Sequence, residues 1–497
     1  MKKTDISFRE DSTTANVVPP ADLKLKKSTS SFFSLPLIAF ILLFVLLLLR
    51  SQTTALNDPD TLMHITIGKW ILQNGSIPDH DVFSFTRSGA PWVPHEWLSD
   101  IVLYLVHYST GWAGLIVMSV AMAAWSLAYL LRFMLDRSVP TIYAVILLIV
   151  SATSLLNHLL ARPHILVWPI LVVWVGTLIQ SNEQKKAPSY WLLLLMVLWA
   201  NMHGSYILGL AILIPLALEA IRLSPVANRQ LCAIRWLVFI LLAAGASLLT
   251  PYGWHGYRLV FELLSQTTLT TIVEWSPADF SQINAIEIWI FLLLIFMGLG
   301  MLQLPLIRLF MLLGLLYEAL THVRYISIFG LLVPLFIALP FTQQYGVFSQ
   351  RIGRDVENYS TTQLGFLAPV ALPKKLVAAF FLILFAWALS VYSKPQPPKH
   401  IMPVAAVDAA LASGLANAPV FHDFGYGGYL IYRGIPVYVD GRADMYGSEF
   451  IAAYNRLSEP GSVGEFEQML DSKKIAWTLL PAGSPFSGVL QNSAGWS

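Results

Sequence analysis

The chain alternates long apolar runs with short polar segments over most of its length. A helix that crosses the hydrocarbon core of a membrane needs about 20 apolar residues, with a usual range of roughly 17–25. Eleven runs approach or reach that length, so the pattern predicts a mainly α-helical, polytopic membrane protein with about eleven transmembrane helices. The predicted spans are 32–50, 111–133, 139–157, 163–180, 189–201, 203–222, 235–250, 286–302, 304–320, 323–341 and 375–392.

The basic residues of the loops predict the orientation of these spans, because Lys and Arg are enriched on the cytoplasmic side. If the N-terminus is cytoplasmic, most loop cations fall inside, and the outer loops carry few. An odd number of spans then places the C-terminal segment outside. The inner cations would be Lys24, Lys26, Lys27, Arg132, Arg137, Lys185, Lys186, Arg222, Arg229, Arg235, Arg351, Arg354, Lys374 and Lys375.

The segment 189–222 is critical for this assignment. As a single span it would move the following basic loop outside and reverse the charge pattern downstream. We therefore predict a break at Asn201–Gly204, where a short helix ends in a watery cavity lined by protein.

Segments of soluble character lie at both ends of the chain. Residues 1–31, rich in Ser, Thr, Lys and Asp, are predicted to form a disordered cytoplasmic tail. A transmembrane domain would cover 32–393, with a first outer loop at 51–97. A Pro- and Lys-rich linker, 394–403, would lead to a small extracytoplasmic α/β domain at 404–497.

The predicted α/β domain mixes the two periodicities. Apolar positions at helical spacing predict helices over 404–415, 448–457 and 463–472. Short β-branched and aromatic runs predict strands at 419–421, 428–432, 436–439 and 476–480.

Composition agrees with a membrane protein. Of 497 residues, 56% are hydrophobic and 12% are charged, whereas a soluble globular chain is typically about 25% charged. The net charge of +2 gives no reason to expect a nucleic-acid partner. Cys232 is the single cysteine, so an intramolecular disulfide is excluded.

Polar and ionisable residues collect on the outer side of the predicted topology. Such residues are costly at membrane depth and usually face a cavity or a pathway. A shared extracytoplasmic site is therefore predicted. The polar residues on this side are Asp58, Asp60, His64, Asp79, His80, Asp81, His95, Glu96, His158, Arg162, His164, Asn201, His203, Tyr252, His255, Arg258, Glu262, Glu274, Glu318, His322 and Arg324.

Each of these signals also has a simpler explanation. Asp58-Pro59-Asp60 can be a turn followed by a helix start. Arg162 can be an interfacial residue that begins a helix, and His203 can mark a kink. The functional hypothesis depends on the convergence of these residues rather than on any one of them.

Several motifs resemble a widespread group of bacterial multi-span proteins that is similar to the GT-C class of glycosyltransferases. This class includes protein O-mannosyltransferases and the lipid A aminoarabinose transferase. The motifs are Asp58-Pro59-Asp60-Thr61-Leu62-Met63-His64, Gly75-Ser76-Ile77-Pro78-Asp79-His80-Asp81, His95-Glu96-Trp97-Leu98, Arg162-Pro163-His164, Trp199-Ala200-Asn201-Met202-His203-Gly204, Pro251-Tyr252-Gly253, Glu274-Trp275-Ser276-Pro277, Gly427-Gly428-Tyr429 and Asp440-Gly441-Arg442-Ala443-Asp444.

The resemblance implies a protein of the bacterial inner membrane that uses a polyprenyl-phosphate-linked sugar donor and an envelope acceptor. Asp60, with Asp58 as its rival, would be the general base that deprotonates the acceptor. Arg162 and Arg324 would stabilise the departing phosphate. Further substrate-binding candidates are His64, His95, Glu96, His164, Asn201, His203 and His322. The resemblance also implies that relatives continue into another strand, which would leave the tail domain of this chain incomplete.

A metal ion is left open by the residues alone. Asp58, Asp60 and His64 offer oxygen and imidazole ligands that suit a divalent cation such as Mg²⁺ or Mn²⁺. The two acids are separated by Pro59, whereas several GT-C enzymes carry an adjacent acidic doublet in the first outer loop.

In the tail, Asp440, Arg442 and Asp444 have two explanations. They could belong to the site, or a buried Asp–Arg pair could simply fix a turn, which is the explanation we favour.

Other function classes remain to be weighed. An envelope polysaccharide ligase or polymerase also uses outer Arg and His residues, but it usually lacks an acidic loop directly after its first span. A transporter or flippase predicts inverted repeats and mid-membrane charges, and neither is detected in the sequence. A non-catalytic scaffold that presents the C-terminal domain would be indifferent to the loss of Asp60.

Overall fold

The computed structural model describes residues 34–52, 54–264, 273–351, 372–459 and 461–492. The predicted cytoplasmic tail at 1–31 and the inner-loop residue Arg354 lie outside these ranges. Within them the chain is mainly helical, and its sheet consists of two short strands.

The helices follow the apolar runs of the sequence. In chain order they are α1 Leu35–Ser51, α2 Asp60–Asn74, α3 Trp97–Asp136, α4 Thr141–Leu155, α5 Pro163–Glu183, α6 Leu192–Met202, α7 Tyr206–Leu223, α8 Arg229–Ser247, α9 Trp254–Leu264, α10 Ala285–Gly298, α11 Leu306–Thr321, α12 Tyr325–Arg351, α13 Leu372–Ser393, α14 Val404–Ala412, α15 Gly427–Tyr432, α16 Ala443–Arg456, α17 Val463–Ser472 and α18 Pro485–Asn492. The strands are β1 Val420–His422 and β2 Trp477–Leu479.

Six helical segments in the described ranges are long and apolar enough to cross a membrane. They are Trp97–Asp136, Thr141–His158, Pro163–Glu183, Tyr206–Leu223, Val226–Ser247 and Tyr325–Ser349. Shorter apolar helices occur at Leu35–Ser51, Leu192–Met202, Ala285–Gly298 and Ala378–Leu389. A mainly helical chain with several possible spans is thus confirmed, and the count of eleven stays a prediction.

The longest helix, α3, joins two predicted segments. Its 40 residues include the stretch after Glu96 and the predicted span 111–133. Gly111 interrupts it with φ of 66°, a left-handed conformation that glycine adopts without a Cβ clash. The first part of α3 packs on α2, and the remainder packs against α1, α5 and α12.

The predicted break at Asn201–Gly204 is present in the structure. α6 ends at Met202 and α7 begins at Tyr206. Side chains bond backbone carbonyls here: Ser99 Oγ donates to Met202 O at 2.7 Å, and the Asn201 amide donates to Leu249 O, just after α8, at 2.9 Å. These bonds offset the cost of interrupting a helix in a buried region.

An ion pair is buried at the other end of the bundle. Arg308 Nε donates to Glu219 Oε1 at 2.7 Å, and Arg308 Nη1 donates to Phe336 O at 3.1 Å. Asn182 adds a donor to Glu219 at 3.2 Å. Both charges have partners, and the cluster connects α5, α7, α11 and α12, while the buried Oδ1 of Asn182 has no hydrogen-bond partner.

Residues 51–97, predicted as the first outer loop, contain a helix, α2, whose start at Asp60 was one explanation of the sequence and whose extent was not predicted. Its buried face includes Leu62, Met63, Ile67 and Ile71, and it ends at Gly75 with φ of 63°. These four residues belong to one apolar cluster with the C-terminal segment, where partners include Val407, Val420, Tyr429 and Leu430. The C-terminal segment is therefore docked on the outer loop by apolar contact.

Two of the predicted tail strands are wrong. Residues 428–432 lie in helix α15, and 436–439 form only an isolated bridge between Val437 and Ser84. Tertiary packing outweighs the β-propensity of the aromatic run, because Gly427 and Gly428 let α15 approach neighbouring backbone closely. The sheet is a parallel pairing of β1 with β2, in which Val420 faces Trp477 and His422 faces Leu479.

Candidate functional site

Arg162 is the centre of a cluster of carboxylates from three separate segments. Its Nη1 donates to Asp58 Oδ2 at 3.1 Å and also bonds Glu274, and its Nη2 donates to Asp60 Oδ2 at 2.8 Å. The acids follow α1, begin α2 and lie in the 3₁₀ turn Val273–Trp275. We call these four residues the Arg162 cluster.

Local chain geometry explains how this cluster forms. Asp58 Oδ1 accepts the N–H of Asp60 at 2.8 Å, which makes a turn at the start of α2. Arg162 is extended immediately before Pro163, the first residue of α5. Thr61 Oγ1 donates to Ala161 O at 3.1 Å and ties the two starts together. The turn and helix-start explanations are therefore both correct, and the two helix starts meet in space.

The Arg162 cluster is partly open to solvent. The side chains of Arg162, Asp60 and Glu274 retain 20%, 19% and 27% of their exposure. Burial raises the pKa of Asp60 to about 6, even though Arg162 acts in the opposite direction. Burial would raise the pKa of Glu274 too, but Arg162 and Arg324 lower it to about 2. Of these two carboxylates, Asp60 is thus more basic than Glu274.

Arg324 and His322 border the cluster at Glu274. The Arg324 guanidinium lies 4.6 Å from the centre of the Trp275 ring, and its backbone N–H donates to Glu274 O at 3.2 Å. His322 Nδ1 lies 3.1 Å from Trp275 O. Aromatic packing therefore holds a second guanidinium close enough to Glu274 to help lower the pKa of that carboxyl.

A second polar group, which we call the Glu96 cluster, lies at the start of α3. Glu96 is 3.4 Å from His203 and 3.8 Å from both His64 and His95. His64 Nδ1 also bonds Asp100 Oδ1 at 2.7 Å. Four of the predicted binding residues are thus brought together around one carboxylate.

The three imidazoles of this cluster are not equivalent. Burial lowers the pKa of His64, but Asp100 and Glu96 outweigh it and raise that pKa to about 9. Burial lowers the pKa of His203 to about 4 despite Glu96. Although burial would raise the pKa of Glu96, the histidines bring it down to about 2. At neutral pH, His64 is the cation that faces an ionised Glu96.

Asn201 and His164 have structural partners. Asn201 accepts from Trp97 Nε1 at 3.0 Å and, as described above, donates at the helix break. His164 Nε2 lies 2.8 Å from His158 O, and its ring centre lies 6.5 Å from that of His203. Asn201 therefore supports the backbone, and His164 lies next to the Glu96 cluster.

The C-terminal segment lies against Asp60 of the Arg162 cluster and against the preceding Pro59. A Cβ atom on Gly441 would lie 2.1 Å from Asp60 Oδ1, and one on Gly428 would lie 2.1 Å from Pro59 O. Only glycine permits such close contact at these positions. Asp444 is also near: burial raises its pKa and His95 opposes this.

Arg442 is the centre of a second arginine–carboxylate cluster, which is fully buried. It donates to both oxygens of Asp440, at 2.7 and 2.6 Å, and to Asp81 Oδ1 at 2.7 Å. Its guanidinium lies 4.6 Å from the Trp92 ring centre. The explanation that an Asp–Arg pair fixes a turn is thus correct, and the pair also binds the first outer loop. We call Arg442, Asp440 and Asp81 the Arg442 cluster.

Sequence reasoning missed two contributors. Asp100 pairs with His64, and its only signal was an acid four residues after Glu96 at the start of an apolar helix. Gly441 contacts Asp60, and no local pattern reports a contact over that sequence separation. Glu274 was noted as an outer polar residue without a role.

The suggested metal ligands are engaged elsewhere. Arg162 binds Asp58 and Asp60, and Asp100 binds His64. Across the described ranges, no group of three or more His, Cys, Asp or Glu side chains has a geometry suited to a metal ion. A guanidinium takes the position that a cation would need between the two acids.

One small cavity borders the Glu96 cluster at His95. This cavity of about 10 Å³, room for about one water molecule, is lined by His95, Gly204, Tyr252 and neighbouring residues. A wider depression of about 490 Å³ lies on the C-terminal domain between α16 and α17. No residue of the Arg162 or Glu96 cluster lines it.

The Arg162 cluster combines a carboxylate suited to accept a proton with a guanidinium group suited to stabilise negative charge.

No protein-family model matches the chain, and no curated protein matches it at a significant level.

Proposed function

We propose that this chain is a glycosyltransferase that works on the outer face of a bacterial inner membrane. It would move a sugar from a polyprenyl-phosphate-linked donor to an envelope lipid, glycan or protein. The observation that carries the proposal is the convergence of Asp58, Asp60 and Glu274 on Arg162, with the backbone N–H of Arg324 bonded to Glu274 O. The sequence resemblance supplies the substrate class.

The proposed reaction is a single displacement that inverts the anomeric carbon. The acceptor hydroxyl or amine attacks this carbon and gives its proton to Asp60. The bond from the anomeric carbon to the phosphate oxygen breaks, and the electron pair leaves with the phosphate. Arg162 and Arg324 offset the new negative charge. A base with a pKa near 6 is ionised at neutral pH and stronger than an ordinary carboxylate.

The proposal includes the finer topology. About eleven spans, a cytoplasmic N-terminus and a C-terminal α/β domain outside would put both clusters and the domain on the side where the lipid-linked headgroup is presented. The basic residues predicted for the inner loops support this orientation.

One observation favours a second candidate, the non-catalytic scaffold. Gly441 lies directly against Asp60, and the cavity beside His95 holds only about one water molecule. In that case the outer loop would serve to dock the C-terminal domain, and Asp60 would be a structural partner of Arg162.

The deciding experiment uses Asp60→Asn, which keeps the shape of the side chain and removes the base. Wild type and variant are expressed in a strain without the native gene, and envelope glycans and polyprenyl-linked sugars are profiled by mass spectrometry. We expect one glycan to disappear in the deletion strain, to return with wild type and to stay absent with Asp60→Asn.

The matched control is Asp79→Asn, another acid of the first outer loop, whose side chain is 93% exposed. It should restore the glycan fully. If Asp60→Asn restores it as well while inserting normally, the transferase proposal fails for Asp60 and the scaffold is favoured.

A further inference from the structure

The turn Asp440-Gly441-Arg442 of the C-terminal domain lies against the carboxylate of Asp60. A Cβ on Gly441 would come 2.1 Å from Asp60 Oδ1 and 2.8 Å from Asp60 Cγ. The φ angle of Gly441 is not in the left-handed region, so its own backbone does not demand glycine. The close contact with Asp60 is what a side chain at 441 would disturb.

Both neighbours of Gly441 are held rigidly. Asp440 accepts the N–H of Arg442 at 3.0 Å, two of its guanidinium bonds, and the hydroxyl of Tyr446 at 3.0 Å. The side chains of Asp440 and Arg442 are 0% and 2% exposed. The turn therefore has little freedom to move relative to its own domain.

Arg442 also fixes the turn relative to the first outer loop. Its Nη1 bonds Asp81, whose carboxylate in turn accepts the backbone N–H groups of Phe83 and Ser84, both at 3.0 Å. Asp81 and Asp60 belong to the same outer loop. One guanidinium thus connects the segment that covers Asp60 with the segment that carries it.

A second glycine contact closes the same interface. α15 lies between the turn and the start of α2: a Cβ on Gly427 would be 2.5 Å from Val439 O, and one on Gly428 would be 2.1 Å from Pro59 O. Layers of backbone are therefore stacked from the turn, through α15, onto Pro59-Asp60.

We propose that Arg442 is a positioning residue that acts on Asp60 through Gly441, so that the C-terminal domain completes the site. The domain shields one side of the Asp60 carboxylate and keeps it facing Arg162. The inference rests on the proposed function for its catalytic meaning, but the shielding itself is measurable without any activity.

The first test measures access to position 60 in the full-length chain. Cys232 is replaced by Ser, Asp60→Cys provides a single thiol, and its labelling by a membrane-impermeant maleimide is timed in membranes. Adding Arg442→Lys, which keeps the charge and loses the planar fork, should speed labelling about tenfold by loosening the turn. Equal rates would overturn the proposal.

Gly441→Ala keeps the Arg442 cluster intact and guards against misfolding of the first variant. It should also speed labelling, because the new methyl group must displace the turn or residue 60. Gly464→Ala is the control: it lies in α17 of the same domain with open space around its Cβ position, and it should leave the rate unchanged. If Gly441→Ala behaves like Gly464→Ala, the close contact has no positioning role.

The second readout is the pH dependence of sugar transfer by Gly441→Ala. Arg162, Asp58, His64 and Glu274 are the charged groups that act on Asp60 besides its burial. Wild type should lose activity as pH falls through about 6, the pKa of Asp60. Partial exposure brings that pKa down, so the acidic limb of the variant should move to lower pH. An unmoved limb contradicts the proposal.

The two readouts separate this inference from the proposed function. If labelling accelerates but Asp60→Asn still restores the glycan, the shielding is real and the transferase proposal fails. If Asp60→Asn abolishes the glycan but Arg442→Lys and Gly441→Ala change neither labelling nor the acidic limb, the transferase survives and the positioning role fails.

Discussion

The Arg162 and Arg442 clusters use the same chemistry in opposite surroundings. Each ties the first outer loop to a distant part of the chain through one guanidinium and several carboxylates. In the Arg442 cluster the side chains are 0–2% exposed. In the Arg162 cluster, Asp58 is 7% exposed and the other three side chains are 19–27% exposed.

The two clusters differ in how much capacity their charged groups retain to bind a further partner. The carboxylates of the Arg442 cluster are occupied by fixed donors from Arg442, Tyr446 and the backbone, and aromatic rings cover the guanidinium. The Arg162 cluster has three acids for one arginine and keeps contact with solvent. A sealed cluster stabilises a fold, whereas an open one with an excess of acids is suited to bind or react.

The largest expected effect is the loss of stability in Arg442→Gln. Removing the guanidinium leaves Asp81 and Asp440 buried without a counter-charge, which typically costs about 3–5 kcal/mol. We expect the C-terminal segment to become sensitive to protease at a temperature where wild type resists. Limited proteolysis of the purified protein in detergent measures this.

The control for that variant is Arg433→Gln. Arg433 bonds Asp408 at 2.7 Å, but these side chains are 25% and 55% exposed. Exposed pairs contribute about 0–1 kcal/mol, so resistance should hardly change. Equal protease sensitivity of the two variants would mean that the Arg442 cluster is not the anchor.

The second prediction concerns Arg162→Lys, for which we expect a large loss of transfer and little loss of stability. Lysine keeps the charge but cannot bond three carboxylates through a planar fork. Transfer should fall about 10²–10³-fold, the usual effect of losing one group that stabilises developing charge. Protease resistance should stay close to wild type, because the cluster is partly solvated. Transfer assays in membranes, with the proteolysis above, measure both.

Arg258→Lys is the matched control for this variant. Arg258 pairs with Glu262 at 2.6 Å on α9, with side chains 70% and 55% exposed. Transfer should be unchanged. If Arg162→Lys also transfers normally, the open cluster is no more functional than the sealed one, and the comparison between the two arginines fails.

Sequence patterns predicted best where structure follows local periodicity. The apolar runs located the long helices, and the loop charges led to the break between α6 and α7. Both signals come from the cost of polar groups in an apolar environment, which acts on each segment separately.

The patterns failed where distant contacts decide. The aromatic run 428–432 became helix α15 because Gly427 and Gly428 pack on Val439 and Pro59. Asp58, Asp60 and Arg162 were predicted to share a site. That both acids bond the same guanidinium was not predicted. The number of acids on one arginine depends on how α2 and α5 meet, which no local spacing encodes.

The smallest expected effect concerns the Glu96 cluster, in which the side chains of Glu96, His64, His95 and His203 are 7–24% exposed. The raised pKa of His64, about 9, means that the stabilisation from its protonated form is present at pH 6.5 and is lost as pH rises through 9. Each pKa unit corresponds to about 1.4 kcal/mol of this stabilisation. His64→Gln can still bond Asp100 but carries no proton to lose. The fall in Tm between pH 6.5 and pH 9.5 should therefore be smaller in His64→Gln than in wild type.

The matched control is His80→Gln, at a side chain that is 54% exposed, which should keep the wild-type fall in Tm. If His64→Gln keeps it as well, His64 is not the cation that holds Glu96 and Asp100 together, and the Glu96 cluster must be stabilised by its neutral hydrogen bonds.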